Sequence, residues 1–337
     1  MSAYQAIRKQ AGIVSLDTDK VMWRVRGSFS TEFLNKVFPG KVFFLQPGMA
    51  LTNPLLNEKL EVLDIMTLMN FDDHWLVIGT MCSFEDQMRI FEEAKDGFSN
   101  EALEVEEVTS DYFSISIEGP YAWQVIKETL TPDVIGVRHF GMVSFRVDDL
   151  QGFLLRSGVS GEYGYRIFCD SNDREQLRRR LEMHSSIKLV EADQETTRLL
   201  CQEARTPVFG TTIQKSDYPW QVEICYMIDF QKTEFQFHSA LSAMGKTCTT
   251  RVMGIKFDSQ DVFPVGSSVF FGEKQVGNLR CVFSSKLDQQ TYGYIEVLNT
   301  HAYPQLTFEI RSNGLTAKVN GIGAPMFKME SASVVPE

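Results

Sequence analysis

Hydrophobic and polar positions follow two different periods along the first part of the chain. KVMWRVRG, EVLDIMTLM and HWLVIG have the alternating or continuously apolar character of strands, whereas TEFLNKVF and FEDQMRIFEEAK repeat with the helical period. Ser30 is predicted to cap the first of these helices, and Ser83 with Asp86 the second. Because helices and strands are mixed without regular βαβ alternation, the pattern predicts an α+β organisation.

The pattern changes after residue 140. Three strand-like runs, MVSFRV, GFLLRS and YGYRIF, form a meander, and two helical runs follow, REQLRRRLEM and DQETTRLLCQEA. From about residue 250 nearly all of the chain consists of short strands separated by turn residues, and Asn313-Gly314 predicts a tight hairpin. We therefore predict an α+β domain over 1–140, a second α+β domain over 141–245, and a C-terminal β-barrel domain over 246–330.

Composition and charge narrow the range of partners. The 337 residues are 43% hydrophobic, which is enough to build more than one core. The formal net charge is −11 and the basic residues form no long run, which argues against nucleic acid as a partner. No apolar run is long enough to span a bilayer, and the start MSAYQAIRKQ has no apolar signal core. We expect a cytoplasmic protein that acts on a small molecule, without a membrane partner.

Neither a metal site nor a nucleotide site is indicated by a motif. The six cysteines and five histidines are scattered, without C-x-x-C or H-E-x-x-H spacing. There is no P-loop, and no G-x-G-x-x-G follows a strand. We therefore expect no metal cofactor.

Four segments together resemble a known family. GVSGEYGYRIF, residues 158–168, resembles the Y-T-G-E-x-G-[FY]-E-[IL] signature of the folate-dependent aminomethyltransferase family, which includes the T-protein of the glycine cleavage system. QPGMALTNPLLNEKLEVLDIM, RLLCQEARTPVFG and FQFHSAL resemble further segments of that family in the same order. The resemblance runs from about residue 5 to residue 320. It implies a ring of three domains around a central funnel that holds tetrahydrofolate, and one-carbon transfer between folate and an amine, ether or thioether.

Most of the family's functional positions carry a different residue here. The carboxylate that meets the donor edge of the pterin in the family falls on Arg166, which has donors and no acceptor. The second Asp of the I-D-D-L segment falls on Ile65, and Asp64 beside it points to the other face of a strand unless a bulge intervenes. The remaining ligand positions implied by the resemblance are the exchanged Thr52, Met69, Val159 and Cys201 and the retained Gly161 and Glu203.

The glycine-rich segment 158–168 is predicted to lie close to another group, which is either a ligand or another part of the protein. Gly158, Gly161 and Gly164 allow the chain to come close to a neighbour. Arg166 is interpreted either as the partner of an anionic group of a ligand, or as the partner of an acidic residue of the protein. The first interpretation makes the funnel a binding site for a carboxylate or phosphate.

Other candidates carry alternatives of the same kind. Arg198 could bind an acidic ligand tail or pair with Glu195, one turn earlier on the same helix. Cys201 could be a nucleophile or a small buried hydrophobic residue. Trp220 could stack on a ligand ring or fill a domain interface.

Three tyrosines and one aspartate are the catalytic candidates. Tyr163, Tyr165 and Tyr226 could act as general acids on a leaving atom. Asp64, which is retained next to Ile65, is the fourth candidate. Tyr163 and Tyr165 share one face of their strand, opposite to Arg166, so only one of these two sets can face the funnel.

Two classes of function follow. In the first, the protein transfers a methyl or other one-carbon group between a small molecule and tetrahydrofolate, and Ile65 favours demethylation or methyl transfer over aminomethyl transfer. In the second, the funnel serves a folate-independent reaction on an anionic small molecule, or binding without catalysis. The exchanged residues favour the second class and the family resemblance favours the first.

Overall fold

The computed structural model describes residues 1–15, 20–99, 102–131, 134, 136–206, 212–214, 216–244, 247–259, 263–323, 327 and 331. Its helices are α1 (Ala3–Lys9), α2 (Ser30–Val37), α3 (Phe84–Lys95), α4 (Ala122–Thr129), α5 (Arg174–His184), α6 (Gln194–Ala204) and α7 (His238–Met244). Its strands are β1 (Gly12–Ser15), β2 (Val21–Arg26), β3 (Met49–Leu56), β4 (Val62–Asn70), β5 (Trp75–Gly79), β6 (Glu104–Glu107), β7 (Tyr112–Glu118), β8 (Met142–Val147), β9 (Leu150–Leu155), β10 (Gly164–Asp170), β11 (Glu191–Ala192), β12 (Thr250–Phe257), β13 (Ser268–Phe271), β14 (Lys274–Ser284), β15 (Thr291–Leu298), β16 (Thr307–Ser312) and β17 (Leu315–Ile322).

The strands form two open sheets and one closed barrel. The five-stranded sheet has the order β3-β4-β5-β2-β6, and the six-stranded sheet has the order β11-β1-β7-β10-β9-β8. The last six strands close into a barrel in the order β12-β15-β14-β13-β16-β17. Closure gives each of these strands two neighbours, so the barrel leaves no edge strand open.

The two open sheets pack face to face. Side chains of the five-stranded sheet, among them Met22 and Met69, share one apolar cluster with Phe153 and Phe168 of the six-stranded sheet. The outer face of the first sheet is covered by α2 and α3, and the outer face of the second by α4 and α5. Each sheet therefore buries both faces, and the cavity described below lies between them.

The barrel and the mixed organisation were predicted from the sequence, and both are present. Asn313 and Gly314 both have positive φ, 50° and 79°, as a type I′ hairpin between β16 and β17 requires. Ser83 caps α3 by accepting a hydrogen bond from the Asp86 backbone N–H. The predicted cap at Ser30 is wrong, because α2 already begins at that residue and its N-cap position is Phe29, which makes no side-chain cap.

The hydrogen-bonded sheets do not follow the chain limits suggested by the pattern. β1 and β7, from before residue 140, lie in the same sheet as β8, β9 and β10, from after it. β7 pairs with β10 along its whole length, from Tyr112 to Glu118. The sequence pattern cannot show this pairing, because it joins strands that are far apart in the chain. The limits at 140 and 245 remain predictions, and the barrel strands begin at Thr250. In the described ranges, no helix combines the length and the apolarity that crossing a membrane requires.

Candidate ligand-binding cavity

A cavity of about 650 Å³ lies between the two open sheets, α6 and the short helical turn Cys225–Met227. The five-stranded sheet contributes Thr52, Ile65 and Thr67, and the six-stranded sheet contributes Ser114, Arg166 and Phe168. Helix α6 closes one side with Gln194, Arg198 and Cys201. The volume is in the range of small-molecule sites in proteins.

Strand alternation decides which side chains of β10 reach the cavity. Arg166 and Phe168 lie on the cavity side, whereas Tyr165 is fully buried in the core beneath α4. Tyr163 packs against the same core, and its hydroxyl lies 2.6 Å from that of Tyr165. Neither phenol opens into the cavity, so the geometry does not support the predicted role of Tyr163 and Tyr165 as general acids. Tyr226 does line it, with 76% of its surface exposed.

The Arg166 guanidinium is held at the cavity wall by two long contacts. One Nη donates to Thr67 Oγ1 at 3.3 Å and the other to the Gly158 carbonyl at 3.4 Å. Nε is buried and has no hydrogen-bond partner. Across the described part of the chain, no carboxylate oxygen lies within 4.0 Å of this guanidinium. Burial lowers the pKa of Arg166, and the more distant Glu118 and Cys201 offset this only in part.

The nearest buried carboxylate is used for another purpose. Glu118 is fully buried and accepts hydrogen bonds from the backbone N–H groups of Val159 and Ser160, both at 2.8 Å, and from the Ser160 hydroxyl. A Cβ at Gly158 would lie 2.7 Å from a Glu118 oxygen. The glycine at this position therefore lets the loop close over Glu118, and the carboxylate orders the loop instead of neutralising Arg166.

The other two glycines of this segment also face protein atoms. A Cβ at Gly164 would lie 2.9 Å from Glu118 Cγ, and one at Gly161, where φ is +80°, would lie 2.3 Å from the Ala204 Cβ. Gly161 thus fits the loop against the end of α6 and is not among the residues that line the cavity. What these glycines approach is mainly the protein itself.

The cavity is cationic although the whole chain is acidic. Lys20, His139, Arg166 and Arg198 line it, and no Asp or Glu is present among its described lining residues. Lys20 donates to Ser114 Oγ and to the Tyr112 carbonyl, both at 2.9 Å. Arg198 is exposed, and the predicted alternative of an ion pair with Glu195 is not found among the described contacts. A lining that has several hydrogen-bond donors and no described carboxylate favours an anionic ligand.

Cys201 lines the cavity but is not activated. Its Sγ donates to the Val159 carbonyl at 3.2 Å, and only 5% of the residue surface is exposed. Burial raises the pKa of the thiol to about 12, and Glu118 adds to the rise. Because the thiolate is the nucleophilic form, the buried-hydrophobe interpretation of Cys201 fits better than the nucleophile interpretation.

Asp64 lies behind the cavity wall. Its Oδ2 accepts the backbone N–H groups of Met81 at 3.0 Å and Cys82 at 3.1 Å, while Oδ1 has no hydrogen-bond partner. Ile65 faces the cavity from the other side of β4, as strand alternation requires. Burial raises the pKa of Asp64 to about 6 although the backbone donors lower it. The geometry therefore does not support Asp64 as a catalytic group, and its carboxylate holds the segment that carries Met81.

Three other predicted ligand residues also lie away from the cavity. Met69 is fully buried between the two open sheets. Glu203 belongs to a buried ion-pair cluster with Arg8. Trp220 packs in a separate apolar cluster, with its ring 5.8 Å from that of Phe230. The interface interpretation of Trp220 is the one that the geometry supports.

The fold brings seven of the predicted site residues together around the cavity: Thr52, Ile65, Val159, Arg166, Arg198, Cys201 and Tyr226. Sequence reasoning missed Lys20 and His139, which line the same space. Neither belongs to a motif, and their positions before β2 and before β8 gave no signal. Among the described residues, no group of three or more His, Cys, Asp or Glu side chains is placed to hold a metal ion.

Comparison with known proteins identifies the family and the fold. A family model for the GCVT N-terminal domain matches residues 2–232. The aminomethyltransferase of Anoxybacillus flavithermus is 21% identical over 96% of this chain and 89% of its own length, and that of Desulforamulus reducens is 20% identical over 98% and 90%. The crystal structure of glycine cleavage system aminomethyltransferase T from Bartonella henselae matches with a TM-score of 0.85 at 17% identity, covering 97% of this chain and 89% of that one. At this identity the structural match shows the fold.

Proposed function

The chain belongs to the GCVT N-terminal domain family, and from this premise we propose that it transfers a one-carbon group to or from an anionic small molecule bound in the cavity. The reaction class follows from the family, and the substrate class follows from the site. The observation that carries the substrate class is the buried Arg166 guanidinium, which opens into the cavity with no carboxylate of the described chain to neutralise it.

Arg166 is suited to hold a carboxylate or a phosphate. Its planar guanidinium can donate two parallel hydrogen bonds to such a group, and both bonds are stronger away from water. The contacts to Thr67 and Gly158 are long, so they orient the side chain without using all of its donors. An anion at this position would remove the cost of burying an unpaired charge.

Tetrahydrofolate is the cofactor that the family resemblance implies. The cavity is large enough for a small-molecule ligand, but its described lining residues do not match the hydrogen-bonding groups of a pterin. The donor edge of a pterin requires an acceptor, which the family supplies as a carboxylate. Here Arg166 stands at that position, and the acceptors nearby are the hydroxyl groups of Thr52 and Thr67 and the amide of Gln194. Because the polarity does not match, no step is routed through the folate.

Ile65 bears on the type of transfer. An apolar side chain replaces the family's carboxylate at the cavity wall, so it cannot assist by moving a proton. This favours methyl transfer or demethylation over aminomethyl transfer. A second candidate function, a folate-independent reaction or binding of an anion without transfer, is favoured by the same residue together with Arg166.

Calorimetric titration separates these functions. We expect small carboxylates or phosphate to bind the wild type and to lose at least tenfold in affinity in Arg166→Gln, whereas Arg89→Gln, an exposed control, leaves binding unchanged. Tetrahydrofolate and 5-methyltetrahydrofolate are titrated in parallel. Tight folate binding by the wild type would overturn the polarity argument, and equal anion binding by wild type and Arg166→Gln would remove Arg166 from the site.

A further inference from the structure

A histidine that belongs to no motif faces the same cavity. His139 lies on the wall beside Phe140 and is exposed. Its imidazole makes no hydrogen bond or ion pair with any residue in the described part of the chain. Both ring nitrogens are therefore available to a ligand.

The backbone after His139 is held in a rare conformation. Phe140 has φ of 60°, in the left-handed region that non-glycine residues seldom adopt. Its N–H donates to the Arg156 carbonyl at 2.9 Å, and its carbonyl accepts from the Ala50 N–H at 2.7 Å. The segment is thus tied to β3 of one sheet and to the residue that follows β9 of the other. Strained positions that the surrounding structure fixes in this way cluster at functional sites.

The cationic side chains of the lining are placed as donors. Lys20 donates to Ser114 Oγ and to the Tyr112 carbonyl, and the guanidinium groups of Arg166 and Arg198 have no acceptor. Burial raises the pKa of Cys201 to about 12, and desolvation raises the pKa of Tyr226, so both keep their protons. With no Asp or Glu among the described lining residues, His139 is the group that remains.

The surroundings of His139 disfavour its charged form. Partial desolvation at the wall lowers the pKa of His139, and the guanidinium groups of Arg156 and Arg166 lower it further, although much of the side chain stays exposed. Lys20 and Arg198, from other parts of the wall, add positive charge and no described carboxylate opposes them in the lining. A neutral imidazole is the form that can take up a proton.

We propose that His139 is the proton-transfer residue of this cavity, acting beside an anionic group held by Arg166. The inference rests on the proposed function. The imidazole lone pair takes a proton from the heteroatom of the substrate, and the electron pair of the broken heteroatom–hydrogen bond stays on the heteroatom, which becomes more nucleophilic. The imidazolium then releases the proton to water, which restores the neutral imidazole. The anion on Arg166 stabilises the imidazolium that forms between these steps.

The titration of His139 can be followed by NMR of the imidazole groups, with sodium sulfate as the probe anion at constant ionic strength. The His139 signals are assigned from His139→Gln, and His184, exposed on α5, serves as the matched control through His184→Gln. In the free protein we expect His139 to titrate below about 6.5. Saturating sulfate should raise its midpoint by at least about half a pH unit in the wild type, but not in Arg166→Gln, and should leave His184 unchanged.

The outcomes separate this inference from the proposed function. Sulfate binding that depends on Arg166 but leaves the His139 midpoint unchanged overturns the role of His139 alone. No sulfate binding that depends on Arg166 overturns the anion site, and the role of His139 with it. Should His139→Gln fail to fold, carbethoxylation of the wild type by diethyl pyrocarbonate tests the same point, because a neutral imidazole beside the anion site must react and be protected by sulfate. Equal reaction with and without sulfate contradicts the proposal.

Turnover gives a second readout with a substrate found in the calorimetric panel. We expect His139→Gln to lower kcat by roughly 100-fold while KM changes less than about threefold, and to remove the acidic limb of the pH profile. His184→Gln should keep the wild-type kcat and profile. A wild-type kcat in His139→Gln overturns the proposal.

Discussion

Two arginines of this protein, the buried Arg8 and the half-buried Arg166, have opposite surroundings. Arg8, on α1, donates to Glu162 at 2.7 Å and to Glu203 at 2.8 Å, and Tyr4 donates to the same Glu203 oxygen at 2.7 Å. Arg166, on β10, meets only a hydroxyl and a carbonyl, at 3.3 and 3.4 Å. Burial tends to lower the pKa of both, but the two carboxylates raise the pKa of Arg8, whereas that of Arg166 stays lowered.

Under the proposed function, the contrast is between a charge that stabilises the fold and a charge that binds a ligand. The Arg8 cluster joins α1, the loop at Glu162 and α6, and Glu203 also accepts from Ser285 of the barrel region at 2.8 Å. It therefore ties parts of the chain that are distant in sequence. Arg166 makes only two long hydrogen bonds among the described residues and lines a cavity, so its charge is available to a ligand. Glu118, which could have paired with it, is occupied by backbone N–H groups.

The largest effect should come from breaking the paired site. Arg8→Met leaves Glu162 and Glu203 buried without their cation, and we expect a loss of about 3–5 kcal/mol in the free energy of unfolding. Urea denaturation measures it. Arg24→Met, which breaks the more exposed pair with Glu106, is the control and should cost about 1 kcal/mol or less. Equal losses in the two variants would contradict the structural role of Arg8.

The open site should respond in binding, not in stability. Arg166→Glu replaces attraction by repulsion, so anion affinity should fall by more than the roughly 1.5–3 kcal/mol of a charge-assisted hydrogen bond. The free energy of unfolding is compared in Arg166→Gln, which leaves no described carboxylate without an ion-pair partner and adds no carboxylate near Glu118, and it should not fall. Calorimetry and urea denaturation of the same samples test both. Unchanged anion affinity with an intact fold rules Arg166 out, whereas new folate affinity would show that the pterin pocket is otherwise intact.

Asp64 offers the acidic counterpart, a buried carboxylate with no cationic partner among the described residues. Its pKa rises from 3.8 to about 6 on folding, so the folded state binds the proton more tightly and wild-type stability falls as pH rises through this window. Asp64→Asn removes the titration. Relative to wild type, we expect it to gain up to about 2 kcal/mol between pH 4 and pH 7, from about 1.4 kcal/mol per pKa unit.

Urea denaturation at several pH values measures this difference. Asp72→Asn, at an exposed position, is the control and should show no such trend. A stability difference between Asp64→Asn and wild type that is the same at pH 4 and pH 7 would mean that Asp64 does not titrate in this window.

The smallest effect is expected at Cys201. With a thiol pKa of about 12, the side chain contributes packing and one hydrogen bond, but no nucleophile. Cys201→Ser should therefore change kcat less than about threefold. Alkylation of Cys201 by iodoacetamide in the folded protein should be slow at pH 8, as followed by mass spectrometry. Rapid alkylation with loss of activity would reverse this assignment.

Much of the fold was accessible from local pattern. The strands after residue 250, the Asn313-Gly314 hairpin and the cap at Ser83 all depend on residues close in sequence. The replacement of the family's carboxylate by Arg166 is visible in the sequence itself. The placement of Arg166 on the strand face opposite to Tyr163 and Tyr165 also follows from the sequence, because strand alternation is a local property.

Two questions required the tertiary structure: which side of a strand faces the cavity, and which charged side chains have an ion-pair partner. A sequence does not reveal which side of β10 faces helices and which faces the other sheet, so both sets of side chains remained candidates. Glu203 was retained from the family's pattern, but its carboxylate is used by Arg8 from the start of the chain. His139 belongs to no motif and reaches the cavity only because its segment is tied to both sheets.

The sequence by itself determined the α+β class, the C-terminal barrel, the family and the reversed polarity at residue 166, because each depends on short-range pattern or residue identity. Only the tertiary structure decided that Arg8 is neutralised and Arg166 is not, since a charge acquires its partner from chain segments brought together by packing. The same reason applies to the cavity itself. Lys20, Arg166 and Arg198 come from three separate segments, and their convergence makes the described lining cationic in an acidic chain.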